Sequence, residues 1–219
     1  MRNIIISIEG NIGSGKSTLL KFLEEDLKKY EKIFFLKEPV DEWEKIRDEN
    51  GTTILQKFYE NQEKYSFSFQ MMAYISRLAQ IKKIMDDNEK GVLIITERSL
   101  YTDKYVFAKM LYDSKKIEDV NYKIYEMWFD TFAKEYPVEK MIYIKTKPEI
   151  CYERISKRSR PGENNIPIEY LKNCDNYHEF MMDIGNAHKL ELDGNVDVYE
   201  NNCKKVEDWI KTIKNFISI

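Results

Sequence analysis

Gly10-Asn11-Ile12-Gly13-Ser14-Gly15-Lys16-Ser17, with Thr18 behind it, spells GxxxxGK[ST] between a short β-branched run and a segment of helical periodicity. The chemistry of that pattern is anion binding. Glycines let successive backbone N–H groups curl around a triphosphate, and the following helix adds its partial positive N-terminus. Lys16 can then reach the β- and γ-oxygens, and the Ser17 hydroxyl can ligate Mg²⁺. Three of the chain's eight glycines fall at Gly10, Gly13 and Gly15, where backbone must approach something closely. The pattern implies a nucleoside triphosphate and Mg²⁺ and leaves open what the phosphate is used for.

Two carboxylates then compete to act on a phosphate acceptor. Glu38 follows the second apolar run, and Pro39 biases it towards extended backbone. A carboxylate at a strand's carboxyl end can take the proton of an attacking hydroxyl, orienting the nucleophile more than driving it. Glu97-Arg98-Ser99 follows the third run. Arg98 could pair with Glu38 and offset developing negative charge, while Glu97 could hold the Mg²⁺ shell or serve as the base itself. Further on, Arg154, Lys157, Arg158 and Arg160 crowd beside Glu153 and run into Pro161-Gly162-Glu163. Arg154 and Arg158 share a helix face, and the Pro-Gly step lets residues of about 154–166 turn as an Arg-rich lid that clamps a triphosphate and excludes water.

The elements that must position these groups alternate along the chain. Apolar runs at Ile4–Ile8, Ile33–Leu36, Val92–Ile95 and Met141–Ile144, and weakly at Lys189–Leu192, are separated by helical segments, the first over Lys16–Tyr30. The stronger runs are apolar on both alternating faces, as in a parallel sheet covered on two sides. The expectation is a three-layer α/β fold with a five-stranded parallel sheet, forming one domain over residues 1–219. Between the second and third runs there is room for two helices, and Phe69, Met72, Ala73, Ser76 and Ala79 form a stripe suited to a core or a helix–helix interface.

Composition narrows the function. The chain has 219 residues, 35 Lys+Arg and 38 Asp+Glu, a net charge of −3 that gives no global field for polymeric nucleic acid or an anionic membrane. The longest uncharged stretch, Tyr65 to Ser76, is far short of the roughly 18 residues that span a bilayer. Cys151, Cys174 and Cys203 are too few and too scattered for a disulfide framework. The strand-like run begins at once after Met1, so no leader is expected and the location is expected to be cytoplasmic.

In this order, GNIGSGKST (Gly10–Thr18), EPVDEW (Glu38–Trp43), YSFSFQ (Tyr65–Gln70), ERSLYTD (Glu97–Asp103), RISKRSRPGE (Arg154–Glu163) and IPIEYL (Ile166–Leu171) resemble the deoxynucleoside kinase family over nearly the whole chain. The resemblance implies a P-loop kinase fold, ATP as donor, and a deoxynucleoside phosphorylated at its 5′-hydroxyl. Tyr59 and Glu163 match residues at the sugar 3′-hydroxyl, and Glu38 and Arg98 those at the 5′-hydroxyl. Gln70 matches the side chain on the base edge, and Trp43, Phe69 and Phe107 match the walls of the base slot, with Ile12, Val40, Leu55 and Phe58 lining it. Arg158 and the loop around Val196, Asp197 and Val198 match the donor-base site. Arg77 and Asp103, with Ala73 small, resemble the deoxycytidine and deoxypurine enzymes, because an ionised Asp accepts from an exocyclic amino group and clashes with a thymine methyl. Family members are homodimers, and the helices around Phe69–Met85 and Tyr122–Phe132 could pair in that way.

Two other readings stay open on the sequence. A thymidylate-type monophosphate kinase shares the loop, but its anionic acceptor calls for cations rather than Glu38 and Glu97. A GTP-dependent switch lacks DxxG after the third run, and Thr146-Lys147-Pro148-Glu149 imitates a guanine motif poorly. His178 and His188 have no partner at metal-ligand spacing.

Overall fold

β1 (Ile4–Glu9) is buried from Ile5 onwards, and its side chains split between two cores. Ile6 and Ile8 face one side of the sheet and Ile5 the other, and on β3 (Leu93–Glu97) Ile95 and Ile94 divide in the same way. This is the period of two of a strand covered on both faces. With β2 (Ile33–Leu36), β4 (Val138–Lys145) and β5 (His188–Asp193) they form one five-stranded sheet, order β2-β3-β1-β4-β5, parallel throughout. The weak fifth run is an edge strand on which Leu192 alone is buried, so few apolar residues were needed there. The structure is a computed structural model and describes residues 2–158, 163, 166–197 and 204–218.

Helix α1 (Lys16–Leu27) covers one face of the sheet, three residues shorter than its periodicity suggested. The stretch after β2 folds as α2 (Val40–Trp43), α3 (Ile54–Glu60) and α4 (Gln62–Asp87), three helices in place of two. Thr53 starts α3 in a reciprocal capping box with Gln56, and Asn61 caps α4 by accepting from the Lys64 N–H at 3.1 Å. The buried stripe of α4 is Ser66, Phe69, Gln70, Ala73, Tyr74, Arg77 and Ile81, while Ala79 is exposed. That face therefore carries polar side chains, Ser66, Gln70 and Arg77, into the interior.

After β3 come α5 (Leu100–Thr102), a π-helical stretch (Asp103–Ala108), α6 (Lys109–Asp113) and α7 (Asp119–Phe132). A 3-10 helix (Ala133–Glu135) and helices α8 (Pro148–Arg158), α9 (Ile168–Ile184) and α10 (Lys204–Ile217) complete the described elements. Leu19, Leu20, Leu23, Trp209 and Ile213 of α1 and α10 pack on one sheet face; Phe69, Ala73, Tyr74, Tyr125 and Phe129 of α4 and α7 pack on the other. No described helix is long and apolar enough to cross a membrane.

Candidate active site

The phosphate loop joins β1 to α1 with Gly10, Gly13 and Gly15 at φ of 143°, 79° and 103°. A Cβ at Gly10 would meet the Ile144 carbonyl oxygen at 2.7 Å, and one at Gly13 the Cys151 carbonyl oxygen at 2.7 Å. The close approach that these two glycines serve is thus to the protein's own β4 and α8. Gly13→Ala adds that clash to an unfavourable φ, and the variant is expected to lose about 2–4 kcal/mol in denaturant unfolding.

Asn11 is buried and holds the loop from behind: Nδ2 donates to the Leu171 carbonyl at 2.8 Å, and Oδ1 accepts from the Ile12 N–H at 2.8 Å. Gly10 and Asn11 therefore shape the loop without lining the cavity, whereas Ile12 to Thr18 line it. Lys16 Nζ donates to the Asn11 carbonyl at 2.7 Å. Burial, reinforced by the Arg98 charge, pushes its pKa down to about 7 against the opposing pull of Glu97 and Glu38. Ser17 Oγ donates to Glu97 Oε1 at 2.7 Å.

A cavity of about 670 Å³ lies over the carboxyl ends of β1, β2 and β3, where doubly wound sheets bind ligands. Val40, Trp43, Leu55, Phe58, Phe69 and Phe107 wall one end of it, with Gln70, Ala73 and Asp103 among them. Phe58 and Phe69 stack at 4.6 Å, and Trp43 meets Phe69 edge-on at 5.5 Å. Glu38 lines the same cavity. Its Oε1 accepts from Arg98 Nη1 at 2.6 Å and from Arg77 Nη2 at 3.2 Å. Burial works to raise the Glu38 pKa, but Arg98, Arg77 and Lys16 together hold it well below the ordinary carboxylate range. Arg98 has φ of 62° and lies 5.0 Å from the Phe107 ring.

Arg77 does not line the cavity. It is 1% exposed, behind Asp103, and its guanidinium divides among three partners: Asp103 (Nε to Oδ2, 2.9 Å), the Glu97 carbonyl (Nη1, 2.6 Å) and Glu38. Beside the aromatic slot it is therefore a support for Asp103 rather than a contact surface. Burial raises the Asp103 pKa, and Arg77 opposes the rise. Asp103 and Phe107 both belong to the π-helical stretch, a local widening common at functional sites and carrying no sequence signal here.

At the other end, Arg154 lines the cavity and braces it, donating to the Val196 carbonyl at 3.0 Å and the Ser14 carbonyl at 3.4 Å. Arg158 Nη2 donates to Glu163 Oε2, and Asp197 also lines this end. Arg160, Val198 and the Pro161-Gly162 step lie outside the described residues. The Tyr59 hydroxyl lines the same cavity, its pKa raised by burial and then by Glu163, so it remains a hydrogen-bond donor. Tyr170, Val206 and Trp209 also line the cavity and are absent from the sequence candidates. The IPIEYL motif contains Tyr170, and the helical spacing of Val206, Trp209, Ile213 and Ile217 marks α10 as packed without revealing that it reaches a cavity.

Ser17 and Glu97 bring a hydroxyl and a carboxylate together beside the loop, hard oxygen donors of the kind Mg²⁺ takes. No cluster of three or more His, Cys, Asp or Glu that could hold a metal occurs among the described residues. His178 is buried, its pKa pushed down to about 3 by burial, and burial pushes the Cys151 and Cys174 thiols up to about 11 and about 12. Cys203 lies outside the described residues.

The family model for deoxynucleoside kinases matches residues 6–218. The chain belongs to the deoxynucleoside kinase family. It is 35% identical to the deoxycytidine kinase of Homo sapiens, over 97% of this chain and 90% of that protein. Identity to deoxycytidine kinase 2 of Gallus gallus is also 35%, with the same shares covered. The mitochondrial deoxyguanosine kinase of Xenopus laevis is 27% identical, over 97% of this chain and 89% of the other. The five-stranded parallel sheet and its phosphate loop are the α/β fold of this kinase family, and the chain is an enzyme of that class.

Proposed function

We propose that this deoxynucleoside kinase transfers the γ-phosphoryl group of ATP, with Mg²⁺, to the 5′-hydroxyl of a deoxynucleoside, giving the 5′-monophosphate in nucleotide salvage. Deoxycytidine and deoxypurine nucleosides are favoured over thymidine. The observation that carries this reading is Glu38, a carboxylate kept ionised between Arg98 and Arg77 in the cavity that the aromatic slot and the phosphate loop both line. An ionised carboxylate there suits a neutral hydroxyl and repels a nucleotide's phosphate, which disfavours a monophosphate acceptor. The alternative base, Glu97, is engaged by Ser17 on the donor side.

In this reading Glu38 takes the proton of the 5′-hydroxyl, and Arg98 is placed to stabilise charge that develops between acceptor and γ-phosphoryl. Tyr59 and Glu163 hold the sugar 3′-hydroxyl. Gln70 pairs with the base edge through its amide, which offers donor and acceptor together. Asp103, backed by Arg77, accepts from an exocyclic amino group, and a thymine methyl and carbonyl would both be unfavourable there. The phosphate loop and Lys16 take the triphosphate, and Arg154 and Arg158 close its outer side. Ser17 and Glu97 would hold Mg²⁺, which when bound neutralises phosphate charge. Exposed Ile75 on α4 and Val120, Met127 and Trp128 on α7 support a homodimer through these helices.

The test is a panel of the four deoxynucleosides and their monophosphates with ATP and Mg²⁺. Turnover of nucleosides, with thymidine the poorest, is expected. Thymidine as best substrate would overturn the base preference, and turnover of monophosphates alone would overturn the acceptor.

A further inference from the structure

Glu9 ends β1 one residue ahead of the phosphate loop, fully buried and outside the cavity lining. Its Oε2 accepts the Thr102 hydroxyl, and Oε1 has no hydrogen-bond partner among the described residues. A carboxyl buried so incompletely satisfied calls for an explanation.

The explanation lies in what Thr102 holds. Its one hydroxyl proton goes to Glu9, so its oxygen is left to accept from the Ser99 N–H at 3.4 Å and the Ser99 hydroxyl at 3.3 Å. Ser99 Oγ in turn accepts from the Thr102 N–H at 3.3 Å. Glu9 thereby fixes the direction of a capping box that starts directly after Arg98 and ends directly before Asp103. β1 grips the same turn a second time through its main chain, where the Arg98 N–H donates to the Ile8 carbonyl at 2.9 Å. Arg98 at φ of 62° is in a conformation that a non-glycine residue keeps only when its surroundings over-determine it. Its Nε is also buried without a partner among the described residues, and the Glu9 charge is among those that act on it.

We propose that Glu9 is a positioning residue for phosphoryl transfer. Through Thr102 and Ser99 it holds Arg98 in its left-handed conformation beside Glu38, and it keeps Asp103 and Phe107 in register with the phosphate loop. The inference rests on the reading of Glu38 and Arg98 as acceptor-side groups.

The experiment compares steady-state kinetics and melting temperature of the full chain with Thr102→Val, Thr102→Ser and Glu9→Gln. Thr102→Val is expected to lower kcat by roughly tenfold to a hundredfold with the KM for ATP held within about twofold, as a small misplacement of an acceptor-side group should do. Thr102→Ser restores the hydroxyl and should bring kcat back to near the parent value. Glu9→Gln keeps an oxygen for Thr102 and removes the charge beside Arg98, so it should fall between the two. If the unaltered chain phosphorylates no deoxynucleoside, the parent reading and this inference fall together. If it does, and Thr102→Val lowers the melting temperature while leaving kcat unchanged in folded enzyme, this inference alone falls.

Discussion

Glu38→Gln lowers kcat by about 10²–10⁴-fold, the usual contribution of a positioned general base, while the KM for ATP changes little. The amide can still accept a hydrogen bond from Arg98, so the cavity keeps its shape and loses only the group proposed to take the proton. Glu97→Gln should instead raise the Mg²⁺ concentration needed for half-maximal rate, because Glu97 shares Ser17's side of the site. Parallel rate measurements on the two variants against Mg²⁺ concentration separate these roles. Full activity in Glu38→Gln with none in Glu97→Gln would move the base to Glu97.

The pH dependence follows from the same geometry. Burial raises the Glu38 pKa, but the two arginines and Lys16 outweigh it and leave the folded value below the 4.5 of an ordinary glutamate. The base form is therefore present above that lowered value and lost as pH falls through it. A kcat/KM profile should show no acid limb attributable to Glu38 between neutrality and the ordinary glutamate range. Replacing Arg77 should move that limb upward, since one of the charges holding Glu38 ionised is removed.

Arg77→Met is expected to destabilise the fold by about 3–5 kcal/mol, the range for removing one partner of a buried ion pair. The guanidinium is buried and is shared by Asp103, Glu38 and the Glu97 carbonyl, so its loss leaves two carboxylates short of positive charge and a carbonyl without its donor. Adding Asp103→Ala removes one of those carboxylates and should recover part of the loss, a non-additivity that a double-mutant cycle in denaturant unfolding measures. Under the proposed role of Asp103, the double variant should also gain activity on thymidine relative to the amino-bearing deoxynucleosides, measured on the same nucleoside panel. A single variant as stable as the parent would show that Asp103 and Glu38 do not depend on Arg77.

Much of the site was legible because its parts are contiguous. The phosphate loop is one octapeptide, and Glu38, Glu97 and Arg98 each stand at the end of an apolar run, so strand periodicity alone places them at one edge of a parallel sheet. The sheet itself was legible where strands are short apolar runs, the edge strand β2 included, and faint at β5, where Leu192 alone is buried and charged residues take half the positions. Tyr59, Gln70 and Glu163 carry no local pattern that marks them, and their proposed roles come from the family resemblance alone.

The sequence by itself thus determined the loop chemistry, the α/β class and the acids and bases available, since these depend on neighbours a few residues apart. Only the tertiary structure decided how they are shared. That Glu38 sits between Arg98 and Arg77, sixty and thirty-nine residues away, depends on β3 lying between β1 and β2 and on α4 turning Arg77 inward. That Glu9 meets Thr102, ninety-three residues on, depends on the β1–β3 register that pairs Ile8 with Glu97. The glycines of the loop proved to answer partly to β4 and α8, because backbone packing between distant segments is set by the assembled sheet and not by the motif.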